Sequence, residues 1–426
     1  MGPPDTPPIG SYAQPQPLEF LRREPNALAA HYSHFRVAQR LLLTGHSHQA
    51  WPDCVRQAQL QAFDDAAERV DEKWERAFAQ ASQVQEGFAD LLDDVDSAGS
   101  PRGGLYALGT NTHELVLRFL SALPEDRRKL VTTTGEFHSI RRQLQRLEEQ
   151  GVEIQWVETD PQGDGSGPES LARRLADAVD DNTAAVLVSC VLFRDSRIVP
   201  HLGELAPLCT ERGVELLIDT YHALGAMPFS LRQQGLDSAF VVGGGYKYLQ
   251  MGEGNCFLRV PPGRRLRPVI TGWFAEFATL SEASKARPGV AYGQDADAFA
   301  GSTYDPTSHY RGAAARSFFR QQGLSPQQLR AISRHQISHL AKSFDELQLP
   351  PSLVDRPRSA PLDAYGAFLA LRTQHAEALH RGLRQRGVLT DYRDDRLRFG
   401  PAPYLCNRQL EDAIAALGEA ARELPV

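Results

Sequence analysis

The chain has 426 residues, 42% of them hydrophobic and 23% charged, a composition typical of a globular protein. This length predicts a large domain and a smaller one, each with its own core. The formal net charge of -7 comes without a stripe of Lys and Arg, so nucleic acid is not an expected partner. Because no long apolar run predicts a membrane span or a signal segment, we expect a cytoplasmic protein without a membrane partner.

Candidate metal ligands and disulfides are few. The five cysteines are scattered, odd in number, and lack the paired spacing of a zinc site, so reduced thiols in a cytosolic protein explain them best. His46 and His48 form a His-x-His pair that raises metal binding as an alternative. No third ligand accompanies the pair, so we expect no metal site.

The N-terminal part of the chain changes character twice. Residues 1–17 are rich in proline, which cannot build a helix or a central strand, so we expect a flexible arm. Residues 18–84 are expected to be a helical segment that joins the small domain. From Trp51 to about Phe88 apolar residues recur at helical spacing, and Pro52 with Asp53 indicates a helix start.

Residues 85–310 alternate short apolar runs with helical stretches. The runs predicted to be strands are KLVTTTG, VEIQWVE, TAAVLVSCVLF, VELLIDTYH and SAFVVGGG. Strands separated by helices imply parallel crossovers covered on both faces, which predicts a large, doubly wound α/β domain with a mostly parallel sheet. The pattern of residues 311–426 predicts a small α+β domain at the C-terminus.

Two residues at predicted strand ends carry the functional argument, because such sheets bind ligands at the carboxyl ends of their strands. Asp219 ends the run VELLID, where an aspartate that caps the next turn is the alternative. Lys247 follows 28 residues later, after three glycines and between Tyr246 and Tyr248. A lysine in such surroundings is suited to be a desolvated amine of lowered pKa, which can form an imine.

These residues resemble the class V aminotransferase-like group of fold type I pyridoxal phosphate enzymes, and kynureninases most of all. The motifs that carry the resemblance are DTYHA, YKYL followed by GEG, TGWF and RFGPAPYL, in consistent order over roughly residues 40 to 410. The resemblance implies the fold type I architecture with a seven-stranded type of sheet. It also implies pyridoxal phosphate as cofactor, an amino acid as substrate, and a homodimer with shared active sites.

The resemblance also implies roles for residues of this chain. Lys247 is implied to be the Schiff-base lysine and proton shuttle, and Asp219 to pair with the pyridinium nitrogen. His222 is implied to lie near the ring oxygen of the cofactor. Tyr246 is implied to bond the phosphate and assist proton transfer, with a buried aromatic as its alternative.

Further cofactor contacts are implied with weaker support from the residues themselves. Gly109 and Thr110 open a helix in a way that suits phosphate, although an ordinary capped helix has the same pattern. Phe137 is implied to stack on the cofactor ring and Ser189 to lie beside it; a core phenylalanine and a strand-end serine are the alternatives. Trp273 and the segment 301–303, which ends in Thr303, are implied to reach the phosphate of the neighbouring subunit, with core packing as the alternative for Trp273.

On the substrate side of the expected site, several residues differ from those of kynureninases. Arg398 matches the arginine that grips the substrate carboxylate, and Arg396 is the competing candidate. The segment GHSHQ stands where kynureninases carry GNSLG, so Ser47 and His48 are taken as substrate contacts of altered character. His138, Ser139 and Ile140 after Phe137, and Ala275 and Glu276 after TGWF, also differ from the family.

We therefore expect a hydrolase of the kynureninase type, which cleaves the Cβ–Cγ bond of L-kynurenine or 3-hydroxykynurenine to release an anthranilate and L-alanine. An aminotransferase, a β-lyase or a cysteine desulfurase-like enzyme is the alternative, and a non-catalytic scaffold is a third. A desulfurase needs a mobile thiolate ahead of its carboxylate arginine, whereas Cys406 follows Arg398 by eight residues at a predicted helix start.

Overall fold

The structure is a computed structural model, and it describes residues 12–162, 167–279 and 289–424. Most of the predicted arm, residues 1–11, lies outside the described residues. At the described end of the arm, the backbone N–H of Ala13 donates to the carbonyl of Arg320 at 2.9 Å. The side-chain amide of Gln328 donates to the carbonyl of Gln16 at 2.7 Å. This end of the arm therefore lies against the helices that follow residue 306.

The N-terminal segment starts with short 3-10 helices and then becomes α-helical. The 3-10 helices cover Leu18–Arg22, Ala27–Phe35 and Val37–Gln39 and are followed by β1 (Leu41–Leu42), α1 (Asp53–Arg69) and α2 (Lys73–Leu91). The predicted helix start at Asp53 is confirmed. The helical stretch divides after α1 at Val70, whose φ of 52° no α-helix accommodates.

Seven strands form the large sheet, in the order β2-β8-β7-β6-β5-β3-β4. Their bounds are β2 (Tyr106–Gly109), β3 (Lys129–Thr133), β4 (Glu153–Val157), β5 (Thr183–Ser189), β6 (Glu215–Asp219), β7 (Phe240–Gly244) and β8 (Cys256–Arg259). Neighbouring strands from β4 to β7 pair in parallel, and β8 is antiparallel to β7 and β2. Because the central strands are buried on both faces, β5 and β6 read as nearly continuous apolar runs.

Helices cover both faces of this sheet, so the predicted doubly wound α/β domain is confirmed. One core contains residues of α2, α5 (Leu171–Asp177), α6 (Leu205–Arg212) and α7 (Leu231–Gln234). The other contains residues of α3 (Thr112–Leu120) and α4 (His138–Glu148). Alternate residues of β5 enter the two cores, Val186 and Val188 on one face and Ala185 and Leu187 on the other.

The C-terminal part is a small α+β unit. Its elements are α8 (Thr307–Gln321), α9 (Pro326–Glu346), β9 (Leu369–Arg372), α10 (Ala376–Gln385), β10 (Val388–Leu389), β11 (Asp391–Arg393), β12 (Arg396–Phe399) and α11 (Asn407–Arg422). Strand β12 pairs antiparallel with β11 and β9, and β1 pairs in parallel with β10. The pairing of β1 places the segment before α1 in the core of this small unit.

The predicted domain boundaries at residues 84/85 and 310/311 fall inside α2 and α8. These two helices and α1 pack against one another, so they connect the two units instead of separating them. Within the described ranges, no helix is long and apolar enough to cross a membrane.

Candidate active site

The carboxyl ends of β5, β6 and β7 bring together three residues that are distant in sequence. Ser189 and Asp219 are register partners at the ends of β5 and β6. Lys247 follows β7 by three residues. All three side chains are buried, and they line one pocket. The pairing of Asp219 with Lys247 that the sequence suggested thus has a spatial basis in adjacent parallel strands.

The amine of Lys247 is enclosed by aromatic rings and one imidazole. Its Nζ lies 3.0 Å from Nε2 of His222. The ring centroids of Tyr221, Phe137 and Tyr246 lie 4.8, 5.3 and 5.8 Å from Nζ. Burial lowers the pKa of Lys247 to about 7, although the negative charge of Asp219 opposes the shift. A substantial share of this lysine is therefore an uncharged nucleophile at neutral pH.

Asp219 and His222 share this low-dielectric environment, and their pKa values shift in opposite directions. Burial raises the pKa of Asp219, an effect that the backbone N–H of Tyr221 limits by donating to its Oδ1 at 2.8 Å. Burial and the charge of Lys247 hold the pKa of His222 well below its usual range, so the imidazole is neutral. The pocket thus combines a carboxylate, a neutral imidazole and an amine near half protonation.

The glycines before Lys247 are required by close packing. A Cβ on Gly244 would lie 2.3 Å from the hydroxyl oxygen of Tyr221 and 2.8 Å from Sγ of Cys256. On Gly245 it would lie 2.4 Å from Sδ of Met251. These glycines let the chain turn tightly past Tyr221, which places Lys247 in the pocket.

Thr112, Tyr221 and Glu136 are among the residues of this region that sequence reasoning missed. Thr112, the first residue of α3, lines the pocket of Lys247. Tyr221 lines the same pocket and bonds Cys256 at 3.4 Å. Glu136 is fully buried behind Ser189, whose hydroxyl donates to it at 2.6 Å. Thr112 carried a signal, since it follows the helix cap Asn111, but Glu136 carried none.

Four residues expected at the cofactor phosphate line a neighbouring cavity of about 620 Å³ or its edge. Gly109, Thr110 and Thr303 line this cavity, and Thr110 bonds Glu114 at 3.2 Å. The indole N–H of Trp273 donates to Oγ1 of Thr303 at 3.2 Å, and the indole is 44% exposed. The structure therefore places Trp273 with Thr303 and both outside the pocket of Lys247.

Arg398 lies on the small unit and is already paired with protein groups. Its guanidinium bonds the carboxylate of Asp391, its register partner on β11, and the carbonyl of Phe193. Its positive charge contributes to lowering the pKa of Lys247, so the two residues face a common region. Arg396 instead bonds Asp395 at 2.5 Å. Of the two candidate arginines, Arg398 is the one associated with Lys247.

The GHSHQ segment divides between the interior and the surface. The ring of His48 stacks on Tyr246 with centroids 5.0 Å apart, and its Nε2 lies 3.6 Å from the carboxylate of Glu253. Ser47 bonds Nδ1 of His48 at 3.1 Å. His46 is buried, and burial lowers its pKa to about 4. Among the described residues no cluster of three or more His, Cys, Asp or Glu is arranged to hold a metal ion.

Residues 54–257 match the model of the class V aminotransferase family. Over this stretch the chain is similar to the class V aminotransferases. A kynureninase from Pseudomonas fluorescens is 24% identical over 311 residues, which cover 71% of this chain and 70% of that protein. A kynureninase from Xanthomonas campestris pv. campestris strain B100 is 27% identical over 318 residues, or 71% and 72% of the two chains.

Solved structures extend the likeness of this chain to nearly the whole fold. A cysteine desulfurase from Thermococcus onnurineus has a TM-score of 0.75 at 15% identity and covers 94% of this chain and 99% of its own. A C-DES variant with glycine covalently linked to its pyridoxal phosphate cofactor also has a TM-score of 0.75 at 15% identity, covering 92% and 98%. At this identity the comparison shows the fold, and the expected fold type I architecture is confirmed.

Pyridoxal phosphate is the cofactor of the class V group, and hence of this chain. The donor set fits the chemistry of that molecule. The buried amine of Lys247 suits its aldehyde, and the buried carboxylate of Asp219 suits its ring nitrogen. The N-terminus of α3 at Thr112 opens into the same pocket and suits its phosphate.

We expect Lys247 in the cofactor-free protein to react with an amine-specific reagent with half-maximal rate near pH 7, because burial lowers its pKa to about 7. The rate rises with pH as the ammonium loses its proton. Replacing Asp219 by Asn removes a charge that favours the ammonium, so the midpoint should move to lower pH. Mass spectrometry of the peptide that contains Lys247 gives the rate. A midpoint near the value of about 10.4 for lysine in water would contradict the burial argument.

Proposed function

We propose that this class V enzyme is a hydrolase of the kynureninase type. It would use water to cleave the Cβ–Cγ bond of L-kynurenine or 3-hydroxykynurenine, releasing anthranilate or its 3-hydroxy derivative and L-alanine. The observation that carries the proposal is the similarity to kynureninases over about seven-tenths of both chains. The buried amine of Lys247 beside Asp219 and His222 provides the groups that the chemistry needs.

Lys247 is proposed as the catalytic base and acid at the α-carbon of the substrate. A general base works best when its pKa lies near the operating pH, and burial brings the pKa of Lys247 to about 7. Bound pyridoxal phosphate supplies an electron sink for the electrons of the broken bonds. Neutral His222, 3.0 Å from Nζ, orients the amine without adding a second positive charge.

Tyr246 and Asp219 are proposed to contact different parts of the cofactor. Burial raises the pKa of Tyr246 to about 12, so its hydroxyl keeps its proton and can donate to the phosphate or to the reacting carbon. Asp219 is proposed to bond the ring nitrogen of the cofactor, and Phe137 to stack on the ring. Ser189 completes this proposed set at the end of β5.

Substrate recognition is proposed to come from Arg398, Ser47 and His48. A guanidinium grips a carboxylate through two parallel hydrogen bonds. Because Asp391 already bonds Arg398, an incoming carboxylate has to share or replace that partner. His48 stacks on Tyr246 at the exposed side of the site, where it can contact the substrate side chain.

The cysteines do not favour a desulfurase. Cys406 is buried and forms the N-cap of α11, where its backbone N–H bonds Gln409. Cys256 is buried beside Tyr221, and burial raises the pKa of its thiol. Neither residue is a mobile thiolate, which a nucleophilic cysteine requires.

A homodimer with shared active sites is proposed from the surface near the 620 Å³ cavity. Val269, Ile270, Trp273, Phe277 and Val290 are between 44% and 76% exposed. Phe277 and Thr303 line the cavity that also contains Gly109 and Thr110. Clustered exposed apolar side chains of this kind mark interaction surfaces, and a second copy is proposed to cover these.

Incubation with L-kynurenine and with 3-hydroxykynurenine tests the reaction. We expect equimolar aromatic product and L-alanine, followed by anthranilate fluorescence and an alanine assay. Lys247→Ala should lose both turnover and the visible absorption band of the cofactor, because no amine remains to bond it. If neither substrate turns over while the band is present, the kynureninase assignment is wrong and the cofactor assignment stands. If the wild-type protein shows no band, the cofactor assignment fails and a non-catalytic scaffold is favoured.

We expect Arg398→Lys to lower kcat/KM by about 10- to 100-fold, mainly through KM, because a single ammonium cannot form the paired hydrogen bonds. Steady-state kinetics measure the effect. The matched control is Arg396→Lys on the same strand, whose side chain bonds Asp395. Equal losses in the two variants would argue against a specific carboxylate contact.

Sedimentation equilibrium tests the proposed dimer. The wild-type protein should sediment at twice the chain mass, and Trp273→Asp combined with Phe277→Asp should sediment as a monomer. Lys342→Asp, an exposed change on α9, serves as the control and should remain dimeric. A wild-type monomer at micromolar concentration would contradict the proposal of shared sites.

A further inference from the structure

Glu136 is a buried carboxyl group that none of the roles above uses. It lies between β3 and α4, directly before Phe137, and has no exposed surface. Its Oε1 accepts hydrogen bonds from the hydroxyl of Thr133 at 2.5 Å and from the backbone N–H of Ser189 at 3.2 Å. Its Oε2 accepts from the hydroxyl of Ser189 at 2.6 Å. Ser189 therefore contacts Glu136 through both of its polar hydrogens.

Among the described residues, Asp219 and Cys190 interact electrostatically with Glu136. Burial and the charge of Asp219 raise the pKa of Glu136 to about 7, while the hydrogen bonds from Ser189 and Thr133 oppose the shift. Cys190 also interacts with Glu136, and its buried thiol has a pKa well above the usual range. Asp219 and Glu136 lie on either side of Ser189 in this arrangement, since β6 pairs with β5.

The contact with Glu136 determines which way the hydroxyl of Ser189 can act. A serine hydroxyl has one proton and two lone pairs. Above about pH 7 Glu136 is an ionised carboxylate, which can only accept. When Ser189 donates its proton to Glu136, only its lone pairs remain for the pocket. Ser189 lines the pocket of Lys247, so a group bound there meets an acceptor at this position.

We propose that Glu136 is a positioning residue that holds the Ser189 hydroxyl as a hydrogen-bond acceptor for an O–H or N–H group of the cofactor or the substrate. This inference rests on the proposed role of Ser189 beside the cofactor and is independent of the choice of kynurenine as substrate. It assigns a function to a buried carboxyl group whose removal from water costs free energy.

Replacing Glu136 by Gln provides a nearly isosteric test with a defined direction. The Ser189 N–H needs an acceptor, so the amide oxygen of the glutamine should occupy the position of Oε1. The amide nitrogen then takes the position of Oε2 and donates to the hydroxyl of Ser189. Ser189 is thereby turned from an acceptor into a donor toward the pocket, which disfavours the protonated form of the group that it contacts.

The experiment is a double-mutant cycle of wild type, E136Q, S189A and E136Q/S189A holoenzymes. The cofactor absorption band is titrated with pH, first without an amino acid and then with L-alanine, whose dissociation constant is measured in parallel. In the wild-type background E136Q should lower the pH midpoint of the band by about one pH unit, or weaken alanine binding about tenfold. A change in the first arm assigns the donor group to the cofactor, and a change only in the second assigns it to the substrate.

The S189A background separates positioning from charge. Loss of a negative charge at residue 136 also lowers the midpoint, but that effect does not need Ser189. The proposal requires the E136Q effect to fall to less than about a third in S189A. Equal effects in both backgrounds, or no effect in either, would overturn it. A wild-type protein without any band would instead overturn the cofactor assignment.

Folding of the variants is checked by circular dichroism and thermal unfolding. If E136Q does not fold, Glu136→Asp replaces it in the same cycle, because it keeps the charge but shortens the reach to Ser189. The shorter side chain should move the midpoint in the wild-type background and not in S189A. A midpoint that is unchanged in both backgrounds contradicts the proposal in this form as well.

Discussion

Removal of one amine from water is the constraint on which the site depends. The Nζ of Lys247 has three aromatic rings and the imidazole of His222 around it, and a desolvated ammonium is costly. The cost is reduced because the amine can lose its proton near pH 7. The same loss makes it a nucleophile and a base. The same desolvation that makes burial of the Lys247 ammonium unfavourable therefore also makes its amine reactive.

The acidic groups around this amine are arranged by the parallel sheet. Asp219 and Ser189 come to the same edge because β5 and β6 run in the same direction, and Glu136 reaches that edge from the turn after β3. In a low-dielectric region two carboxyl groups do not ionise independently. The backbone N–H of Tyr221 stabilises the charge of Asp219, while Glu136 has its pKa raised to about 7. The sheet therefore sets both the positions of Asp219 and Glu136 and how readily each carboxyl group ionises.

The substrate side depends on the packing of the small unit. Strand β1 pairs with β10, which brings the segment of His46 and His48 beside the strand pair that carries Asp391 and Arg398. His46 is buried and neutral, with Nε2 3.5 Å from the carboxylate of Asp391. Burial opposes ionisation of Asp391, but His46 and Arg398 outweigh it and hold its pKa well below the usual range. Departures in the GHSHQ segment therefore lie beside Arg398, the residue proposed to bind the substrate carboxylate.

The sequence alone determined the doubly wound sheet, the lysine and the carboxylate, because apolar runs, helical periodicity and strand-end residues are local signals. It did not determine which residues at the start of α3 line the pocket of Lys247. Thr112 lines that pocket, whereas Gly109 and Thr110 line the neighbouring cavity. The direction of the chain at the helix start decides this, and the sequence does not reveal it. The role of Glu136 could not be predicted because its partner Ser189 is 53 residues away and reaches it only when β3 and β5 pair. Tertiary structure decided these contacts, as burial and hydrogen bonding between distant segments leave no pattern along the chain.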